Sequence, residues 1–187
     1  TMTAAPLLIA RVTLRAAGGE VVHGHAADLL VPKWFDKSPA TTDAADRAAL
    51  VASVRTAASL WRGVQSGAPL FAQWLAVHRS HVEAAPLEAP DRLVRCFGVA
   101  LVERALMDAT CRAAGLSFFA AWRADLFGVE AGAALPTLRG YHPARAFDRA
   151  PLDAVRVRHT VGMGTSSGPL RSLPRCAAPT TTPAASR

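Results

Sequence analysis

A regular alternation followed by two adjacent glycines constrains the N-terminal fold more than any other feature of the chain. Apolar and more polar positions alternate from residue 7 to residue 15, which is the period of a half-buried strand. Gly18-Gly19 can supply the positive φ values of a tight turn, and residues 21–24 resemble a returning strand. This segment predicts an antiparallel β-hairpin, with Pro32 ending the pairing.

Helical patterns follow the hairpin after a short polar loop. Apolar residues recur at helical spacing in four stretches, and helix-capping residues or glycines bound them. The predicted starts and ends are Thr42 or Asp43 to Gly63, a helix opening at Pro69, Asp91 to Ala114, and a short helix capped by Ser117. The order predicts an α+β fold, with a helical bundle on one face of a small antiparallel sheet.

The charge of +7 raises nucleic acid as a partner, but its distribution argues against it. Lys33 and Lys37 are the only lysines, and the remaining positive charge is arginine scattered through an alanine-rich chain. No basic run interleaved with aromatic residues is present, so we expect no specific nucleic-acid partner. The more economical interpretation is a compositional preference for arginine.

Cysteine spacing and the N-terminal hydropathy indicate the compartment. Cys96, Cys111 and Cys176 form no CxxC pair and are odd in number, which predicts neither a zinc site nor a disulfide framework. The apolar run near the N-terminus is broken by Arg11 and Arg15 and is too short to cross a membrane. We therefore expect a cytoplasmic protein without a membrane partner.

The order of the segments along the chain resembles a known family. The hairpin and the capped helices come first, followed by the segment GVALVERALMDATCRAAGLSFFAAWRADLFG and then by VRVRHTVG. This order is similar to the start of an enolase-superfamily protein of the mandelate racemase and muconate lactonizing enzyme kind. The resemblance implies an α+β capping domain followed by a (β/α) barrel. In this chain it implies a capping domain at 1–128, a linker at 129–153 and the first barrel strand at 154–162.

The chemistry implied by the resemblance lies on later barrel strands. An intact member would be a Mg²⁺-dependent dehydratase or racemase acting on a carboxylate, with acidic metal ligands and Lys or His bases at strand ends. After Asp153 the sequence contains no Asp, Glu or Lys, and residues 163–187 have no periodicity. We expect residues 163–187 to be a disordered tail. It is either the product of a lost reading frame or a genuine disordered segment of the protein. We further expect the chain to be inactive, with no catalytic residue and no bound metal.

The loop Val31–Pro39 holds the candidate substrate residues Lys33, Trp34, Phe35 and Lys37. The resemblance implies that a capping-domain loop closes over the barrel mouth, where the lysines could meet an anionic substrate and the aromatic rings could exclude water. In the structural alternative, Trp34 and Phe35 pin the loop to the helices while both lysines lie in solvent.

Other polar residues have structural interpretations that we prefer to functional ones. His23 and His25 share a strand face but offer only two nitrogens to a metal. His78 and His81 lie one helical turn apart and are expected to form a surface pair. Asp108 is expected to accept hydrogen bonds from an arginine one turn away rather than to act in catalysis.

Two functions therefore stay open. The first is a truncated enolase-superfamily protein, which would be prone to self-association through the exposed surface of its cap. The second is a standalone binding or interaction module derived from the cap. Whether the chain is an enzyme is left open by the sequence.

Overall fold

The computed structural model describes residues 6–16, 18–64, 67–142 and 154–156. The chain divides into two units, residues 1–150 and residues 151–187. In the second unit, residues 154–156 have no regular secondary structure. The rest of the predicted strand 154–162 and the predicted tail 163–187 lie outside the described residues.

The predicted hairpin is confirmed. Strand β1 (Leu7–Arg15) pairs antiparallel with strand β2 (Val21–Leu29) in a register that opposes the first residue of each strand to the last residue of the other. Gly19 has φ 84°, a left-handed conformation that glycine adopts without strain. Within the described residues the sheet has these two strands.

The helices begin and end close to the predicted residues. The Thr42 hydroxyl accepts a hydrogen bond from the Ala45 amide at 3.2 Å, and Ser117 caps its helix through the Ala120 amide at the same distance. The described helices are α1 (Asp43–Arg62), α2 (Leu70–His78), α3 (Arg92–Ala113), α4 (Phe118–Arg123) and α5 (Ala131–Ala134). A π-helical turn, Arg79–Glu83, continues α2, and single 3-10 turns occur at Pro32–Trp34 and Pro136–Leu138.

The hairpin packs on α3, which gives the expected α+β arrangement with helices on one face of the sheet. A first apolar cluster fills this contact and includes Leu30, Leu50, Val94, Phe97 and Leu101. At Gly24 the strand backbone lies so close to α3 that an added Cβ would overlap the carbonyl oxygen of Ala105 and the amide nitrogen of Ala109. The close contact therefore requires a residue without a side chain.

A second apolar cluster joins the helices to one another. It contains ten buried residues, among them Trp61, Val77, Val99, Val102 and Phe127. Helices α1 and α3 both contribute to the two clusters, and α3 also packs on both strands of the hairpin. No helix in the described part of the chain is long and apolar enough to cross a membrane.

Part of the predicted linker 129–153 is structured. α5 and the 3-10 turn Pro136–Leu138 both lie within it, and Gly132 packs against the backbone of Arg139. Residues 143–153 lie outside the described residues.

Candidate functional site

The loop Val31–Pro39 is anchored at Lys33. The Lys33 ammonium group donates to Asp46 Oδ2 at 2.6 Å and to the Ser38 carbonyl oxygen at 2.9 Å. The Asp46 side chain is 6% exposed, whereas that of Lys33 is 41% exposed. The ion pair therefore ties the loop to the first turn of α1, and its acidic member is the one shielded from water.

The two partners shift each other's pKa in opposite directions. The hydrogen bond to Asp46 raises the pKa of Lys33. Hydrogen bonds from Lys33 and then Thr41 hold the pKa of Asp46 below its ordinary value. Both groups are thus charged at neutral pH, and Lys33 is occupied by an internal partner.

The two aromatic residues of the loop have different environments. Phe35 packs edge-on against Phe97 with 5.0 Å between ring centroids, which pins the loop to α3. Trp34 is 77% exposed, and Lys37 in the same loop is also exposed. The structural alternative therefore holds for Phe35 and Lys37 but not for Trp34 and Lys33. Trp34 and Lys37 are the two candidate residues that face solvent.

The hairpin histidines and Asp108 take part in hydrogen bonds within the protein. The ring of His23 lies 3.1 Å from the Thr13 hydroxyl, and the backbone amide of His25 donates to Asp108 Oδ2 at 2.8 Å. Arg112 donates to the same carboxylate at 2.9 Å, as expected for a residue one turn away. Burial raises the pKa of Asp108, but these hydrogen bonds and charges outweigh it and leave the pKa lowered. The expected hydrogen bond from an arginine one turn away to Asp108 is confirmed.

The expected surface pair of histidines is wrong for His81. His81 is 7% exposed, and its Nε2 lies 3.2 Å from the Ser53 hydroxyl. Burial, followed by the charge of Arg95, lowers the pKa of His81. His81 lies within the π-helical turn Arg79–Glu83 that follows α2. His78 keeps partial exposure and faces Glu83 at 3.3 Å.

The described residues contain no group of three or more His, Cys, Asp or Glu side chains that could hold a metal ion. The magnesium implied by the resemblance therefore has no matching ligand set among them. Cys96 and Cys111 are free thiols, and burial raises the pKa of Cys111. A raised thiol pKa keeps the group protonated and unreactive at neutral pH.

The sequence analysis missed a small aromatic cavity around Glu103. The cavity has a volume of about 110 Å³ and is lined by Leu70, Phe71, Trp74, Glu103, Met107, Trp122, Phe127 and Val129. Burial raises the pKa of Glu103 to about 7. One feature of the sequence could have indicated this cavity. Glu103 lies one helical turn from Val99 and from Met107, on the face of α3 that an apolar residue normally occupies.

No family model, curated protein or solved structure matches this chain. The fold class and the contacts above therefore stand on the chain's own residues.

Proposed function

We propose that the first unit is a capping domain of the enolase-superfamily kind, and that it contributes the loop Val31–Pro39 to a carboxylate site completed by a (β/α) barrel. The main observation behind the proposal is that two residues of this loop contact the rest of the first unit and two others face solvent. Lys33 and Phe35 hold the loop against the helices, while Trp34 and Lys37 extend from it into solvent.

This division suits a loop that closes over a substrate. Because Lys33 and Phe35 fix the loop to the helices, the loop can hold an exposed cation and a large aromatic ring at a fixed position. Lys37 would attract the substrate carboxylate, and Trp34 would exclude water from the reacting centre. Lys33 would act by holding the loop, because its ammonium group already has two acceptors.

The outward face of the hairpin also supports a capping role. Leu7 and Ile9 are 56% and 60% exposed, and Leu29, which pairs with Leu7, is 46% exposed. Neighbouring exposed apolar residues on one sheet face are typical of a surface that another body covers. The barrel is the body that the resemblance predicts.

The proposal assigns no catalysis to these 187 residues on their own. After Asp153 the sequence contains no Asp, Glu or Lys to serve as the acidic ligands or the lysine base that the resemblance places on later strands. Mg²⁺, where an intact barrel binds it, supplies the positive charge that stabilises an ene-diolate. This chain's part would be to orient the carboxylate and shield it from water.

The direct test is the DNA that follows the codon of residue 162, translated in all three frames over about 250 codons, the length of a typical barrel. We expect one frame to continue with Lys-x-Lys and then spaced Asp, Glu and Glu residues. If no frame does so, the capping proposal loses its barrel and is refuted for this gene.

A functional test becomes available when such a frame is found. Residues 1–162 joined to that barrel should exchange the α-proton of 2-hydroxy carboxylates for deuterium in a Mg²⁺-dependent reaction. Lys37→Met and Trp34→Ala should each lower kcat/KM by about tenfold or more, which corresponds to roughly 1.4 kcal/mol of transition-state stabilisation. The exposed Arg55 on α1 provides a matched control, Arg55→Met, which should have no effect.

A standalone interaction module is the second candidate, and the two internal apolar clusters favour it. A domain with its own core can fold without a barrel. Hydrogen exchange and sedimentation of the chain distinguish the candidates. A monomer with strong amide protection in α1 and α3 favours the module, whereas self-association that is abolished by Ile9→Ser favours an uncovered cap.

A further inference from the structure

The Glu103 cavity joins two aromatic pairs from different elements. Phe71 and Trp74 of α2 stack with 5.3 Å between ring centroids. Trp122 of α4 and Phe127, which follows that helix, lie 5.9 Å apart. The Met107 side chain from α3 also lines the cavity, so its surface is almost entirely apolar and rich in π faces.

Among the described residues that line this cavity, Glu103 is the only ionisable one. The charge of the neighbouring Arg104 lowers the pKa of Glu103 less than burial raises it, and the Arg104 guanidinium donates a hydrogen bond to Asp28 at 2.8 Å. Within the described part of the chain, Glu103 has no hydrogen-bond partner. A carboxyl group held among aromatic rings without a partner would gain from the arrival of a cation.

The chemistry of the lining restricts the kind of cation. A metal ion or a guanidinium group needs several oxygen acceptors, and the cavity offers one carboxylate. A methylated ammonium group has few or no N–H groups to satisfy, and aromatic faces attract it electrostatically. The cavity volume of about 110 Å³ restricts the occupant to a group of a few heavy atoms.

We propose that the cavity between α2, α3 and α4 binds a methylated ammonium group, with Glu103 as its counter-charge and the rings of Trp74 and Trp122 as its walls. This site is separate from the loop Val31–Pro39 and does not depend on the capping proposal. Its ligand class is an organic cation, whereas the capping loop would face a carboxylate.

The test titrates the 187-residue chain with tetramethylammonium chloride at constant ionic strength, in protein labelled at the methionine methyl groups. The chain contains three methionines, and Met107→Leu assigns the resonance that reports on the cavity. We expect a saturable shift of the Met107 methyl signal with a Kd on the order of 1–10 mM, because cation–π attraction at partly exposed sites is modest. The neutral probe tert-butanol, of similar shape, should shift it little.

Variants decide which groups recognise the cation. Glu103→Gln should weaken binding about tenfold, and Trp74→Leu should weaken it by roughly threefold to tenfold. Glu88→Gln, which removes an exposed carboxylate in the loop before α3, should leave the Kd unchanged. The proposal is overturned if tetramethylammonium produces no saturable shift, if tert-butanol binds as well, or if Glu103→Gln binds like the unmodified chain.

Discussion

Replacing Gly24 with alanine should separate the hairpin from the helices. A Cβ at this position would overlap the Ala105 carbonyl oxygen and the Ala109 amide nitrogen and would lie 2.7 Å from the Ala109 Cβ. Two of these three atoms belong to the α3 backbone, so no rotation of a flexible side chain can make room. β2 must instead move away from α3, and the apolar cluster between them must loosen with it.

The steric cost should exceed the intrinsic gain of the substitution. Alanine in place of glycine within a strand would stabilise the protein by roughly 0.5–1 kcal/mol through the unfolded chain. Overpacking a close contact costs about 1–3 kcal/mol, and the rigid backbone atoms at this position favour the upper end of that range. We expect a net loss of about 2 kcal/mol, which corresponds to roughly 4–8 °C in Tm for a domain of this size.

The assay is urea unfolding followed by circular dichroism, with thermal unfolding as a second probe. Gly18→Ala is a matched control, because a Cβ at Gly18 meets nothing within 4 Å. Gly18→Ala should change stability by less than about 1 kcal/mol. The m-value of Gly24→Ala should stay close to that of the control, since the unfolded chains expose nearly the same surface.

A second substitution tests the physical reason. Ala109→Gly removes one of the three overlapping atoms but leaves the two backbone atoms in place. Adding it to Gly24→Ala should therefore fail to restore stability, and the glycine in α3 should cost about 1 kcal/mol more. The reasoning is refuted if Gly24→Ala unfolds at the same urea concentration as Gly18→Ala, or if Ala109→Gly rescues it.

Three further predictions concern charge. Lys33→Met should lower the urea midpoint by leaving the shielded Asp46 without its ion-pair partner, and Lys37→Met should not; equal midpoints would contradict the anchoring role of Lys33. The pKa of Glu103 is raised to about 7. The protonated carboxyl group therefore contributes its full stability below pH 4.5, and this contribution is lost as the pH rises through about 7. Glu103→Gln should remove that loss and raise the free energy of unfolding at pH 8 by about 1–2 kcal/mol. The full pKa shift corresponds to roughly 3.4 kcal/mol, and solvent screening reduces this value. Urea titrations at pH 5 and pH 8 measure the difference. Because the pKa of His81 is lowered, its neutral ring contributes stability that is present above pH 6.5 and is lost as the pH falls. The stability of the His81→Gln variant should therefore depend less on pH between pH 7 and pH 5.

Local patterns in the sequence were sufficient to predict the hairpin and helices α1 to α4, but not α5 or the π-helical turn. The alternation of residues 7–15 and the turn at Gly18-Gly19 specify a hairpin through contacts between near neighbours. Thr42 and Ser117 cap their helices through amides three residues away, so a short window contains the whole interaction. The α+β class followed from the order of these elements.

The environments of individual polar residues were decided by contacts distant in sequence. Lys33 pairs with Asp46 because the loop folds back on α1. His81 is buried against Ser53 of α1, which lies 28 residues earlier in the chain. Neither contact follows from the spacing of the residues within its own element.

The sequence by itself determined where the hairpin and helices α1 to α4 form, because turn geometry, capping and hydrophobic period act over a few residues. Only the tertiary structure decided that Gly24 must lack a side chain and that Glu103 lies in an aromatic cavity, since each depends on separate elements meeting in space. The same physical reason divides the loop Val31–Pro39. Its composition marked four candidate residues, and the packing of α1 and α3 determined that Lys33 and Phe35 hold the loop while Trp34 and Lys37 face solvent.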